Sequence, residues 1–391
     1  MSGVPSPVRH LYVHVPFCAH KCEYCAFYSE AAQGELVNRY VKSLVREMEG
    51  VAADCRPETI FFGGGTPSIL NLRQWETILE AMGGCGWNGA VEWTVECNPA
   101  TVSLDKARLL REHGVNRISM GVQSLDEALL ERLGRVHTRD MVFRSFDILR
   151  QAGFDNLNLD LMFAIPGQTM EVWQRTLSEA VAMGSEHLSS YEVIYEEDTP
   201  LYEQLQAGRC EVNEDLACDM FEELVGTAVS AGFVQYEVAN FARTADPDRA
   251  PIPSRACRHN VNYWRGGDFH GLGPSATGYV RGVRSRNWSN TRVYCDQIEK
   301  GRRAVESSEQ LDPVARAGET AAFGLRMNCG WPFEDFERVT GQDLRLGWAE
   351  DMAWLERREL GRILPDRFQL TSRGLRFADL AAERFLRPAA A

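Results

Sequence analysis

"LYVHV" (11–15) alternates apolar and polar residues and is rich in β-formers, so it predicts a strand. "ELVNRYVKSLVREMEGV" then shows the three- and four-residue apolar spacing of a helix, and the short apolar "TIFF" runs into Gly63-Gly64-Gly65, which completes one βαβ unit. The order repeats. A helix near 71–82 precedes the strand "VEWTVE", and a helix over 104–112 precedes "RISMG". Helical segments across 126–152 precede "NLNLDLMF", and a helix over 170–182 precedes "HLSSYEV". Strands separated by helices imply a parallel sheet with right-handed crossovers, and about six such repeats predict an α/β fold, a partial or full (β/α)6 barrel. Sites on such sheets lie at the carboxyl ends of the strands.

After Val193 the alternation fades. Residues 243–255, "RTADPDRAPIPSR", are Pro-rich and charged, and predict an exposed loop with a tendency to disorder. Beyond about 297 the pattern becomes helical and charge-rich, ending in helix, short hairpin, helix. Two domains are expected: residues 1–296, and a small α+β accessory domain over 297–391.

With 391 residues and 44% hydrophobic content the chain can bury a large core. A formal net charge of -13 argues against a nucleic-acid surface, since phosphate binding rests on Lys and Arg displacing counterions. No uncharged apolar run approaches the about 18 residues of a membrane span, and "MSGVPSPVRHLYVHVPF" lacks the basic stretch and apolar core of an export signal. The expectation is a cytoplasmic protein. Of eleven cysteines, Cys55, Cys85, Cys97, Cys210, Cys218, Cys257, Cys295 and Cys329 are scattered, as small buried hydrophobes are in a reducing compartment.

Cys18, Cys22 and Cys25 are different, because they follow the first strand within eight positions and can converge on one centre. Thiolates so grouped hold iron–sulfur clusters, and four irons with three protein ligands leave one iron open to a small molecule. A structural zinc completed by His20 or His14 is the alternative, as are plain structural cysteines. Gly63-Gly64-Gly65-Thr66-Pro67 follows the second strand, where three glycines suit close backbone approach to a ligand or a tight turn. Further strand ends carry Glu96, Gln123 and Asp160, and Arg135 follows in "RLGRVHT". Taken singly, each fits a solvated or capping role. Together, carboxylates suit ribose hydroxyls and an amino group, and the guanidinium suits a carboxylate.

The CxxxCxxC loop with Tyr24 before its last cysteine resembles the radical S-adenosylmethionine (SAM) superfamily. The resemblance implies a radical SAM barrel with a [4Fe-4S] cluster on Cys18, Cys22 and Cys25, and SAM chelated to the open iron. An electron, supplied through the cluster by an electron donor, would cleave the sulfonium to a 5′-deoxyadenosyl radical. It also implies SAM contacts from Tyr12, Tyr24, Gly64, Gly65, Thr66, Glu96, Gln123, Arg135 and Asp160.

"YVHVPFCAHKCEYCAF", "FFGGGTPS", "SMGVQS", "LDLMFAIPGQT" and "RHNVNYWRGGDFHGLGPSA" are together similar to the oxygen-independent coproporphyrinogen III oxidase-like group. The tail resembles that group's winged-helix-like C-terminal domain. True decarboxylases of the group carry CxxxCxxCxC and a longer N-terminal extension, whereas this chain has Phe27 at the last cysteine position. That departure points to the haem chaperone branch, HemW, whose members bind haem and pass it to acceptor proteins such as respiratory haem enzymes. His259 in "HNVNYW" matches the branch's HNxxYW motif and is implied as a haem ligand, with His270 and Cys257 as competitors. The other reading of His259 is a satisfied structural histidine beside a packed Tyr and Trp. Two alternatives to the carrier are a coproporphyrinogen III decarboxylase and a radical enzyme with an unrelated substrate, such as a methyltransferase.

Overall fold

The computed structural model describes residues 6–244 and 251–387 of the chain, so part of the Pro-rich stretch 243–255 lies outside the described residues. Six parallel strands stand side by side in chain order: β1 (Val8–Val15), β2 (Cys55–Gly64), β3 (Glu92–Cys97), β4 (Arg117–Gln123), β5 (Leu157–Phe163) and β6 (His187–Glu192). The helices between them are α1 (Gly34–Val51), α2 (Leu72–Gly84), α3 (Leu104–Glu112), α4 (Glu127–Arg132), α5 (Arg139–Gln151) and α6 (Met170–Ala182). After α7 (Glu214–Ser230), β7 (Val234–Gln235) and β8 (Asn240–Ala242) extend the β6 edge in antiparallel fashion. A short helix α8 (Arg258–Trp264) leads to β9 (His270–Leu272), which adds to β1 in parallel. The nine-stranded sheet thus keeps two edges, β9 and β7, and is a partial barrel.

Period-two alternation sorts the strand residues onto two faces. Leu11, Val13, Ile60, Phe62, Trp93, Val95, Ile118, Leu159 and Leu188 are buried in the core beneath the helices. Each contributes about 1.5–3 kcal/mol by leaving water. The helices answer with their own stripe: Leu36, Val37, Tyr40, Val41, Leu44 and Met48 line one side of α1. Their starts are fixed chemically, by an Asn71–Gln74 capping box on α2 and by Ser103, Thr138 and Thr169 on α3, α5 and α6. The opposite strand face is polar. It carries His10, Tyr12 and His14 on β1, Glu92, Thr94 and Glu96 on β3, and Arg117 and Ser119 on β4. Asn158 and Asp160 on β5 follow, with His187 and Ser189 on β6.

Register stacks these polar residues in tiers. His10, Thr59 and Glu92 are aligned, as are Glu96, Ser119, Asn158 and His187, and then Gly121, Asp160, Ser189 and Asn240.

Three antiparallel strands, Thr277–Val280, Val283–Asn287 and Val305–Gln310, form a separate sheet beside the barrel. Ile298 and Ala304 pack into the barrel core. The tail has a core of its own, centred on Trp331, Phe336, Trp348, Leu355, Phe368 and Phe385. There, helices Pro313–Gly324, Phe333–Thr340 and Ala349–Arg357 meet a three-stranded antiparallel sheet of Trp331–Pro332, Arg367–Leu370 and Gly361–Ile363. Helix, strand, helices and hairpin in that order make a winged-helix-like unit. Of the eight scattered cysteines, Cys55, Cys97, Cys257 and Cys295 are buried, while Cys85, Cys210, Cys218 and Cys329 are only half-buried. Among the described residues no helix is long and apolar enough to cross a membrane.

Candidate functional site

The cysteine loop leaves β1 at its carboxyl end, and backbone bonds hold it over the sheet: Glu23 N–H to Leu133 O at 3.1 Å and Leu201 N–H to Glu23 O at 2.9 Å. Cys18, Cys22 and Cys25 are all free thiols and half-buried. Thr66 Oγ1 lies 3.5 Å from Cys18 Sγ, and Arg135 Nη1 lies 3.5 Å from Cys22 Sγ. Arg135 also donates through Nη2 to Gly121 O at 2.6 Å, while its buried Nε has no partner. Burial pushes the Cys25 thiol up.

Three cysteine thiols on one short loop are the donor set of an iron–sulfur cluster with an open iron, in which each thiolate binds a separate iron, whereas a structural zinc needs a fourth ligand beside them. His14, a suggested zinc ligand, is committed elsewhere. Its Nε2 donates to Tyr28 O at 3.0 Å, so its Nδ1 is bare and accepts from the Tyr12 hydroxyl at 3.0 Å. Burial lowers its pKa, which keeps the ring neutral. His20 is exposed.

The three glycines answer first to the protein's own atoms. A Cβ on Gly64, whose φ is +104°, would fall 2.4 Å from the His14 ring. One on Gly65 would meet Phe17 O at 2.7 Å, and one on Gly63 would meet Glu96 Oε2 at 3.0 Å. Close packing brings β2 against the cysteine loop, with Gly65 N–H bonded to Val15 O and Thr66 N–H to Phe17 O.

Glu96 accepts from Gly64 N–H at 3.2 Å. Burial and then the charge of Asp160 push its pKa up to about 8. Asp160 accepts from Asn158 Nδ2 at 2.7 Å and Ser119 Oγ at 3.1 Å, although burial still raises it. Gln123 sits at a bulge at the end of β4 with φ of +64°, an uncommon conformation for a side chain at that position. Tyr24 packs beside the small cluster of Leu129 and Leu133.

The strand ends therefore assemble the cysteines with Thr66, Glu96, Gln123, Arg135 and Asp160 at one mouth of the barrel. His259 is elsewhere. Its helix α8 lies on the polar face at the other end, where its ring is fully buried. Thr59 Oγ1 lies 2.8 Å from Nδ1 and Tyr263 Oη lies 2.7 Å from Nε2, and Phe61 stacks on the ring. Burial lowers its pKa to about 3. The buried carboxylate of Glu92 accepts from Arg258 N–H at 2.9 Å and His259 N–H at 3.0 Å, fixing the start of the helix. In this arrangement each ring nitrogen of His259 has a hydrogen-bond partner. His270 is half-buried, with Nε2 3.6 Å from Asp54, and Cys257 is buried next to Glu92. Ser119 and Asn158, which hold Asp160, were not singled out from the sequence. Their signal was the polar position of each in the alternation of "RISMG" and "NLNLDL".

Known proteins resemble the chain in the same two parts. Residues 12–180 match the model of the Radical SAM superfamily, and residues 311–377 match that of the HemN C-terminal domain. Heme chaperone HemW of Lactococcus lactis is 32% identical over 96% of this chain and 96% of its own length. Heme chaperone HemW of Bacillus subtilis and that of Escherichia coli are each 33% identical over 86% of this chain and 88% of theirs. Coproporphyrinogen III oxidase (HemN) from Escherichia coli has the same fold, with a TM-score of 0.83 at 21% identity over 98% of this chain and 91% of that one. The chain belongs to the HemW family of the radical SAM superfamily.

Proposed function

We propose that this protein is a haem chaperone, which binds haem and passes it to acceptor haem proteins while carrying a [4Fe-4S] cluster and SAM. The observation that carries the haem reading is similarity along nearly the whole chain to relatives named Heme chaperone HemW. Phe27 supports it against the decarboxylase, since it occupies the position of a further cysteine and is 69% exposed. Acceptors such as respiratory haem enzymes, an electron donor and a cytoplasmic location complete the proposal.

Cys18, Cys22 and Cys25 would hold the cluster, which when bound supplies the electron route to SAM. The remaining residues bind and orient. Arg135, already turned toward Cys22, offers its planar fork to the SAM carboxylate. Glu96 would take the amino group, Asp160 the ribose hydroxyls, and Gly64, Gly65 and Thr66 the methionine portion. Tyr12, Tyr24 and Gln123 would complete the SAM site. Haem ligation by His259 requires one of Thr59 and Tyr263 to give up its ring nitrogen and α8 to shift so that the buried ring is uncovered, because each nitrogen has a partner in the seated helix.

Anaerobically reconstituted protein incubated with coproporphyrinogen III, SAM and a reductant tests the assignment. Haem binding without formation of protoporphyrinogen is expected. Protoporphyrinogen would overturn the chaperone reading, and haem affinity unchanged in His259→Ala would remove the ligand.

A further inference from the structure

The polar face contains a continuous hydrogen-bonded path from α8 to Asp160. Cys257 N–H lies 3.1 Å from Tyr236 Oη, which lies 2.9 Å from His187 Nε2. His187 Nδ1 lies 2.6 Å from Asn158 Oδ1, and Asn158 Nδ2 lies 2.7 Å from Asp160 Oδ1. Tyr236, His187 and Asn158 are all buried.

Chemistry at the two ends fixes the direction of every bond. Asp160 Oδ1 accepts from the Asn158 amide N–H, so Asn158 turns its carbonyl oxygen to His187. That oxygen also accepts from Ser189 Oγ, and because a carbonyl oxygen can only accept, Nδ1 is the protonated nitrogen of His187. The buried ring, with the Arg117 charge nearby, stays neutral, and so Nε2 is bare. Tyr236 O–H must fill it. Its oxygen is then free to accept from Cys257 N–H. Each group donates toward Asp160, and such a chain polarises cooperatively, so loss of one donor weakens the next.

We propose that Tyr236 and His187 are positioning residues that couple the seat of α8 to the orientation of Asp160. Ligand binding at Asp160 and the placement of the helix that carries His259 are thereby linked, and linkage of this kind is reciprocal. A backbone amide of the residue preceding α8 sits at one end of the path and a carboxylate at the cofactor mouth sits at the other. A shift of α8 withdraws the Cys257 amide and leaves Tyr236 free to turn from His187. The coupling rests on the reading of Asp160 as a SAM contact.

Hydrogen exchange of peptides spanning α8, read by mass spectrometry on the cluster-reconstituted full chain with and without SAM, tests it. In the wild type, SAM slows exchange of the α8 amides by about fivefold or more. In Tyr236→Phe, with SAM bound by calorimetry, the slowing falls below about twofold. Equal slowing in both proteins, or none in a SAM-bound wild type, overturns the coupling alone. A wild type that binds no SAM sinks the cofactor reading and the coupling with it. Nitrogen NMR of the wild type gives a test that needs no variant. His187 is expected as the neutral Nδ1–H tautomer near neutral pH, and an Nε2–H tautomer or a charged ring contradicts the path.

Discussion

Gly64 combines two constraints that can be separated. Its φ of +104° is costly for any L side chain, and its missing Cβ leaves room for the His14 ring. Gly86 has a φ of +76° with open space around it, so it isolates the first constraint. Gly86→Ala should cost about 1 kcal/mol in urea unfolding and Gly64→Ala at least about 2 kcal/mol, the excess reporting the contact with His14. Equal costs would mean that the ring moves aside freely. Glu96 gives a pH signature. Its folded pKa is raised to about 8 from an ordinary 4.5, so the stability it contributes is full below 4.5 and is lost as pH rises through about 8. Between those limits the wild type should lose about 1 kcal/mol or more that Glu96→Gln retains. A wild type that gains stability relative to the variant over that range would contradict the burial of the carboxylate. At this scale the sequence was legible where spacing carried meaning, as in the three cysteines, and where a polar residue closed a strand, as in Glu96. It did not reveal that Gly64 and Gly65 pack against β1 and its loop, because the partner atoms lie about fifty residues away in the chain.

Elements followed the same division. The helices over 104–112 and 170–182 begin and end where the sequence pattern predicts. The strands were legible because alternation buries one face, although β2 runs from Cys55 through Gly64 and exceeds the apolar "TIFF". Helix α8 was not legible. It has seven residues, little apolar spacing, and an anchor on Glu92 that lies 166 positions away from Arg258. Glu92 is 4% exposed and accepts from two amides at the start of α8. Glu92→Ala orphans both, and denaturant titration should show a loss of about 2–4 kcal/mol, with Glu92→Gln milder because one acceptor survives. A loss below about 0.5 kcal/mol would mean that α8 is held by other contacts.

The whole molecule joins a barrel to a small domain with its own core. We propose that this domain begins near residue 311 rather than 297, since Ile298 and Ala304 pack with the barrel and the tail's core starts at Ala317. Glu237, wholly buried, meets Arg326 Nε at 3.4 Å across this junction, and Arg265 stacks on Trp331. Burial raises the Glu237 pKa, with Arg326 acting against it. Removing the cation strands the buried carboxylate, so Arg326→Gln should destabilise by about 3 kcal/mol and by more than Glu237→Gln. The reverse order in denaturant titration would show that the pair is not what secures the junction. The proposed function puts a [4Fe-4S] cluster on the cysteine loop at the barrel mouth. Anaerobic reconstitution with iron and sulfide, followed by electron paramagnetic resonance of the reduced protein with and without SAM, tests that most directly. About four irons and four sulfides per chain are expected, lost in Cys22→Ala, with a spectrum altered by SAM. Bound zinc, absence of sulfide, or a cluster signal indifferent to SAM would contradict it.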